Sequence, residues 1–488
     1  MVLSQPPFPF FFLAYFCLVP LFYSMRRDGS KADFFFGLKS GIVAYIGLLY
    51  WVVIAMTKYG GINLLSSMAC MLLLSTYLAL YVGAFTYISS LTESVLRIPV
   101  YFSAPFFWTL LEYLRTYMLT GFPWSLLAYS QYNFLPFIQI CSFAGPYYVS
   151  YVIVSINCLL FLLLTRNLKS KAEFFFSVFV TMLVVVTIFY GLIRLISDEE
   201  MKSTKIVSVI QASIRQDVKW TDEYKLETLK KHISITLGVP QESNLIVWPE
   251  TALPFTLEEG GLMVDEFSKF VRILNVPLLV GALSRDETKK LYNSAFLFDS
   301  YGKVIGIYRK VHLVPFGEYT PLIEYFPFLE KISVAGEDFS PGKSHEPLLL
   351  PGFGRIGVLI CYEGIFPQIS RKTVIEGAEI LINLTNDAWY DRSSAPYQHF
   401  AFYIFRAIET DRFVVRSANT GISAVIDPKG RVISKTSLFT EEILTSKISL
   451  RKGETFYVKY GDWFIALVAF ALFITVAFRS LSHKYLWK

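Results

Sequence analysis

The sequence predicts an α-helical transmembrane bundle joined to an α/β sandwich domain. Two observations carry this. Residues 1–197 and 463–480 are dominated by long apolar runs, whereas 203–452 has ordinary globular patterning with charges throughout. Within 203–452, short β-branched runs alternate with segments of helical spacing, the order expected of a sheet covered by helices. The division is therefore 1–200, a bundle of about six spans; 203–452, a single domain; and 460–488, a terminal helix with a short tail.

The bundle follows from length and hydropathy. The chain is 54% hydrophobic and 17% aromatic. Runs long enough to cross ~30 Å of hydrocarbon lie near 8–24, 34–57, 62–91, 100–120, 143–165, 172–196 and 463–480. The first lacks a basic leading region and a small-residue cleavage site, so it reads as a retained span rather than a signal peptide. Residues 121–140, from Gly-Phe-Pro-Trp124 onward, are aromatic and proline-broken and fit an interfacial or re-entrant segment. Glu112 and Arg115, three apart on one helical face, are expected to form an ion pair inside the bundle rather than to meet a lipid headgroup.

Basic residues orient the spans. Arg26, Arg27 and Lys31 follow the first, Arg97 the third, Arg166, Lys169 and Lys171 the fifth, and Arg479, Lys484 and Lys488 the last. The intervening connectors carry little positive charge. By the positive-inside rule the odd spans end in the cytoplasm, which leaves 203–452 on the outer side of the membrane. The net charge of +6 includes no basic cluster interleaved with aromatics, so nucleic acid is not an expected partner.

The middle domain reads as strands at 206–212, 245–248, 276–283, 292–298, 304–308, 355–360, 379–384, 413–417, 423–426 and 443–448, with helices at 222–235, 262–274, 368–376 and 396–410. Three polar residues end apolar strands: Glu250 after Leu-Ile-Val-Trp-Pro, Lys310 after Ile-Gly-Ile-Tyr-Arg, and Cys361 after Gly-Val-Leu-Ile. Strand ends of this kind converge on the ligand crevice of an α/β sheet. Together they form a chemical set: a carboxylate to take a thiol proton, an ammonium to stabilise an oxyanion, and a thiolate to attack a carbonyl. Cys361 is the only cysteine of its domain; Cys17, Cys70, Cys141 and Cys158 lie in apolar stretches, so no disulfide competes for it there.

The motifs Trp-Pro-Glu250, Tyr-Arg-Lys310-Val-His-Leu-Val-Pro-Phe-Gly-Glu318 and Ile-Cys361-Tyr-Glu363 resemble the Glu-Lys-Cys motifs of the nitrilase superfamily. With the polytopic helices and Gly-Phe-Pro-Trp124, nearly the whole chain resembles the apolipoprotein N-acyltransferase family, including Asn386-Asp-Ala-Trp389, Gln398-His399 and Arg406-Ala-Ile-Glu409. The resemblance implies a nitrilase-like αββα sandwich outside a bacterial inner membrane. It also implies ping-pong transfer of an acyl chain from a phospholipid, commonly phosphatidylethanolamine, through a Cys361 thioester to the α-amine of a diacylglyceryl-cysteine apolipoprotein. Glu250 is then the base, Lys310 the oxyanion partner and Glu318 a second carboxylate near the site. Tyr362 and Glu363 support the nucleophile, and Trp220 contacts substrate from a mobile arm. Family members usually have eight spans; the one that would precede 8–24 has no counterpart here, which implies a start further upstream or a shorter bundle.

Competing readings are bounded by the same residues. Glu318 follows Pro-Phe-Gly, so a turn role competes with a site role. Glu363 is equally a candidate structural partner of Lys310. His312 and His399 lack an orienting Asn or Asp at a recognisable position, so a papain-like Cys-His pair is not expected. No close Cys or His pair has zinc-ligand spacing, and neither metal nor organic cofactor is expected. A membrane-tethered amidase would use the same three residues but would give the first six helices no task. A transporter or scaffold would need broken, charged helices that are not seen. The expected state is a monomer.

Overall fold

The computed structural model describes all residues except 166–169, 198–203, 218, 220, 221, 259, 322, 324, 326–336 and 486–488. The backbone divides into two compact units. One comprises Met1–Trp51, Ser67–Asp198 and Tyr460–Lys488; the other comprises Val52–Ser66 and Glu199–Lys459.

Among the described residues of the first unit, five helices are long and apolar enough to cross a bilayer: Lys31–Leu49, Leu64–Leu96, Pro146–Thr165, Lys171–Ile196 and Trp463–Leu481. Two expected spans take other forms. Residues 8–24 break into a 3-10 turn at Phe11–Tyr15 and a short helix at Val19–Ser24, because Pro20 opens a helix but cannot continue one from the preceding turn. Val100–Tyr117 is a helix of 18 residues whose buried face includes Glu112 and Arg115, so its hydropathy falls below that of the other spans. Residues 121–140 form only short turns, as the proline-broken sequence requires.

The expected Glu112–Arg115 ion pair is not formed. Glu112 Oε1 accepts from the Leu127 amide at 2.8 Å, and the Arg115 guanidinium donates to the Tyr45 hydroxyl. An i, i+3 spacing allowed a direct pair, but the backbone of the following segment and a neighbouring helix offer each group its own partner.

Among the described residues of the second unit, side-chain alternation along thirteen strands builds two sheets face to face. The strands are β1 (Thr204–Gln211), β2 (Leu245–Val247), β3 (Leu253–Thr256), β4 (Leu278–Arg285), β5 (Leu291–Phe298), β6 (Val304–Arg309), β7 (Leu348–Leu350), β8 (Gly354–Ile360), β9 (Ile380–Thr385), β10 (Val414–Ala418), β11 (Ala424–Ile426), β12 (Val432–Lys435) and β13 (Glu442–Ser449). The first sheet runs β13-β1-β2-β4-β5-β6, with β3 beside β4, and the second β12-β11-β10-β9-β8-β7. Each sheet has a parallel centre, β1-β2-β4 in one and β8-β9-β10 in the other, flanked by antiparallel strands.

Alternate residues decide the layers. Val207, Val209, Leu279 and Leu297 meet Ile356, Val358, Ile360 and Ile382 in the inter-sheet core. The opposite faces of β2, β4 and β5 (Ile246, Leu278, Val280, Phe296) pack under Leu229 of helix Asp222–Thr236 and Phe267, Phe270 and Val271 of helix Leu262–Leu274. Helices Pro367–Ile375 and Ala395–Thr410 cover the second sheet. The result is the αββα sandwich of the nitrilase-like class. The parallel centres bring the carboxyl ends of β2 and β8 to the same rim, and there the residues that follow them gather.

Gly281 shows how tightly that rim is built. A Cβ at this position would stand 2.4 Å from the Pro249 carbonyl oxygen and 2.7 Å from Glu250 Cα. Gly281→Ala is therefore expected to cost about 1–3 kcal/mol of stability and to displace the Glu250 turn. A lowered thermal midpoint together with reduced activity of the folded fraction checks this.

Candidate active site

Glu250, Lys310, Glu318 and Cys361 are brought together, each from the end of a strand or the turn that follows it. β2 runs into Trp248-Pro249 and delivers Glu250; the next residue, Thr251, has a positive φ of 46°. β6 ends at Arg309, and the Lys310 amide continues the ladder by donating to the Asn293 carbonyl at 2.8 Å. Lys310 Nζ then donates to Glu318 Oε1 at 2.8 Å and lies 3.7 Å from Glu250 Oε1. The Asn293 amide, on β5, donates to both carboxylates, at 2.8 Å to Glu250 and 3.0 Å to Glu318.

Glu318 combines the two roles that its sequence left open. Its amide donates to the Val314 carbonyl, closing the turn, and its Oε2 accepts from the Val314 amide at 2.8 Å. Both of its oxygens are thus committed. Glu250 uses only Oε1 among the described residues, which leaves Oε2 able to accept a proton. Burial alone would depress the Lys310 ammonium, but Glu318 and Glu250 outweigh it and hold the group well above the ordinary lysine value. Lys310 is therefore a fixed cation.

Cys361 follows β8 and opens a 3-10 turn, Cys361–Ile365, with φ at 49°. A left-handed conformation costs a non-glycine residue of order 1–3 kcal/mol and persists only where the surroundings enforce it. Glu363 supplies part of that enforcement. Its Oε2 accepts from the Ile360 amide at 2.7 Å, and its Oε1 from the Val311 and His312 amides and the Tyr308 hydroxyl. It thus ties the end of β6 to the end of β8 through neutral donors, and Lys310 Nζ is not among its partners. Burial pushes the Glu363 carboxyl up to about 7, against the pull of those backbone donors and Lys310. Tyr362 is buried, stacked on His312 at 5.8 Å and edge-on to Phe366 at 5.1 Å. Burial pushes the Cys361 thiol far above its ordinary value; Glu250 adds to the rise, and Lys310 and the Thr385 side chain oppose it.

Residues 206–456 match the family model for carbon-nitrogen hydrolase, and residues 1–159 match that for the apolipoprotein N-acyltransferase N-terminal domain. The apolipoprotein N-acyltransferase of Geobacter metallireducens is 39% identical, over 97% of this chain and 92% of its own length. The chain belongs to the apolipoprotein N-acyltransferase family. Similar proteins of the same name occur in Haemophilus ducreyi, 29% identical over 99% of this chain and 95% of the relative, and Rickettsia bellii, 30% identical over 95% and 91%.

Several residues at the site escaped the sequence reading. Asn293 sits in the middle of an apolar strand, and a buried amide there is itself a signal. Lys219 is 1% exposed and donates to the Thr251 hydroxyl at 2.6 Å and the Glu250 carbonyl at 3.3 Å, supporting the Glu250 turn from behind. Burial pulls its ammonium down to about 8, against the attraction of Glu250. His399 does have an orienting acid, contrary to expectation: Asp387 Oδ1 lies 2.9 Å from Nδ1. The pair is twelve residues apart and meets only because strand β9 leads into helix Ala395–Thr410. It faces the Cys361 carbonyl, 3.4 Å from Nε2. Burial, with Lys310 nearby, lowers His312 to about 4. Trp220 lies outside the described residues.

A raised thiol pKa leaves the thiolate fraction still climbing in mild alkali. Alkylation of Cys361 by iodoacetamide, followed by mass spectrometry, is expected to accelerate between about pH 7 and 9 without a plateau. Lys310→Met removes the cation that opposes the rise, and should slow the reaction throughout that window by roughly 10-fold or more.

Proposed function

We propose that this N-acyltransferase works through a thioester on Cys361. The carrying observation is the asymmetry of the two carboxylates around one fixed ammonium: Glu318 is saturated by Lys310, Asn293 and Val314, while Glu250 keeps an oxygen uncommitted and is near enough to Cys361 to push its thiol up. Glu250 is therefore the base and Lys310 the electrostatic partner, with Glu318 holding Lys310 in place. Tyr362 and Glu363 fix the turn that presents the sulfur, and Trp220 is assigned to substrate contact.

In the first half-reaction Glu250 takes the thiol proton as Sγ attacks the ester carbonyl carbon of a phospholipid. The oxyanion forms against Lys310 Nζ. The bond from acyl carbon to glycerol oxygen then breaks, Glu250 returns the proton to that oxygen, and the lysophospholipid leaves. In the second half-reaction the α-amine of a diacylglyceryl-cysteine apolipoprotein attacks the thioester. Glu250 accepts the amine proton, the C–S bond breaks, the proton passes to sulfur, and the acyl chain remains as an amide. Phosphatidylethanolamine is the assigned donor. The thioester separates two lipid substrates in time, which suits a site they occupy in turn.

As a multi-pass membrane protein the chain meets both substrates where they are anchored. Confinement to two dimensions raises their local concentration. The placement of basic connectors supports an inner-membrane location with the second unit on the periplasmic side and a cytoplasmic C-terminus. The proposed working form is a monomer.

Incubation with acyl-labelled phospholipid and no acceptor should leave one hydroxylamine-labile label on Cys361, released as an amide when a diacylglyceryl peptide is added. Cys361→Ser should fold and carry no such label; a wild-type turnover rate in that variant would exclude Cys361 as nucleophile. Asn293→Ala removes the donor that Glu250 and Glu318 share and the hydrogen bond that holds Glu250, and labelling is expected to slow by on the order of 10²-fold, the effect of a misplacement near 1 Å.

A further inference from the structure

Four buried polar side chains form a file that ends on the Cys361 carbonyl and that the acyl-transfer chemistry does not use. Arg416 Nη2 donates to Asp387 Oδ2 at 2.7 Å. Asp387 Oδ1 lies 2.9 Å from His399 Nδ1, and His399 Nε2 lies 3.3 Å from the Tyr403 hydroxyl. The Tyr403 hydroxyl donates to the Cys361 carbonyl oxygen at 2.9 Å. Arg416, His399 and Tyr403 are all 0% exposed and Asp387 is 1% exposed.

Two glycines make room for the file. A Cβ at Gly364 would stand 2.3 Å from the Tyr403 hydroxyl oxygen, and a Cβ at Gly421 would stand 2.3 Å from Asp387 Oδ2. Burying an arginine, an aspartate and a histidine is costly, and such a network is weak evidence for stability as such. Its terminus is informative instead. The file ends on the carbonyl of the one residue whose φ of 49° aims the nucleophile. Burial favours the neutral imidazole and lowers it below its ordinary value, against the pull of Asp387. Asp387 then holds the proton on Nδ1 and leaves Nε2 an acceptor. The Tyr403 proton therefore faces two acceptors, Nε2 and the Cys361 carbonyl, and its ring, seated on Gly364, fixes where the oxygen stands.

We propose that Tyr403, oriented by Arg416, Asp387 and His399, is a positioning residue for the nucleophile: its hydroxyl clamps the peptide after Cys361 and so sets the direction of Cβ–Sγ toward the Glu250–Lys310 pair. It touches neither substrate nor reacting atoms. The file acts on the rate of thioester formation, while donor binding is left as it is. This rests on Cys361 being the acylated residue.

The test is single-turnover labelling of Cys361 by acyl-labelled phosphatidylethanolamine in detergent micelles, in which the amplitude counts folded, competent sites and the rate constant reports their geometry. Tyr403→Phe keeps the ring on Gly364 and removes one oxygen. The expected result is a rate constant about 10–100-fold lower at saturating donor, with wild-type amplitude and unchanged half-saturating donor concentration. His399→Gln retains an acceptor near the Nε2 position and should label at least several-fold faster than His399→Leu. A wild-type rate constant in Tyr403→Phe overturns the assignment. So does a loss confined to amplitude, or equal rates in the two His399 variants, since each describes groups that only hold the fold. If Tyr403→Phe fails to fold, the His399 pair alone decides. Absence of Cys361 label in the wild-type protein would instead refute the thioester itself, so the two failures are distinguishable.

Discussion

Lys310 is 1% exposed, and a lysine so deeply placed stays charged only with anionic partners at hand. Here it has two, at 2.8 and 3.7 Å, and the rest of the site is arranged around that requirement. The partners come from β2 and from the turn after β6, so sheet register must be correct before the ammonium is satisfied. Removing one partner of a buried pair typically costs about 3–5 kcal/mol, because a bare charge is left behind. The same arrangement leaves a surplus negative charge, shared unequally. Glu318 absorbs the lysine, and Glu250 keeps an oxygen free near a thiol that burial holds protonated. Acid–base competence is thus a by-product of how one cation is neutralised.

The sulfur is attached to this cluster indirectly. Glu363 joins the Ile360 amide, on the Cys361 side, to the Val311 and His312 amides just past Lys310, so the two strand ends cannot drift apart. Tyr403 holds the other side of the elbow. Cys361 is therefore fixed from before and after its Cα, and the strain of its backbone is carried by side chains that take no part in the chemistry. Such division of labour is what the proposed thioester route requires, because a sulfur that first attacks and then leaves must return to the same place.

Much of this was legible in the sequence, for local reasons. Glu250, Lys310 and Cys361 each interrupt an apolar run at its end, and strand ends are where period-two patterning stops. Alternating strand and helix patterns made an α/β sandwich legible, while the αββα layering was implied by the family resemblance; Leu278, Leu279 and Val280 divide between its two cores. Asn293 was hidden because it lies inside a strand, where its partners depend on pairing with β4 and β6. Asp387 and His399 stood in two separate motifs and their pairing was not visible, since their contact needs the turn between β9 and the following helix. The Glu112–Arg115 pair failed for the converse reason: helical spacing showed that the two could meet, and nothing local showed that the Leu127 amide and Tyr45 would claim them first.

Residues 52–66, although they follow the first long helix, belong with the sandwich. Lys58 Nζ reaches Asp391 at 2.5 Å, and Tyr59 packs edge-on to Trp389 at 6.1 Å. Trp389 and Asp391 flank the far end of the 3-10 turn that begins at Asp387, the acid of the file that ends on the Cys361 carbonyl. A soluble fragment cut at residues 199 and 459 would therefore omit a piece of its own surface. Excision would bare an indole and slacken the very turn on which the imidazole leans, so the sandwich is better regarded as a discontinuous body, threaded twice by the chain, than as a detachable module.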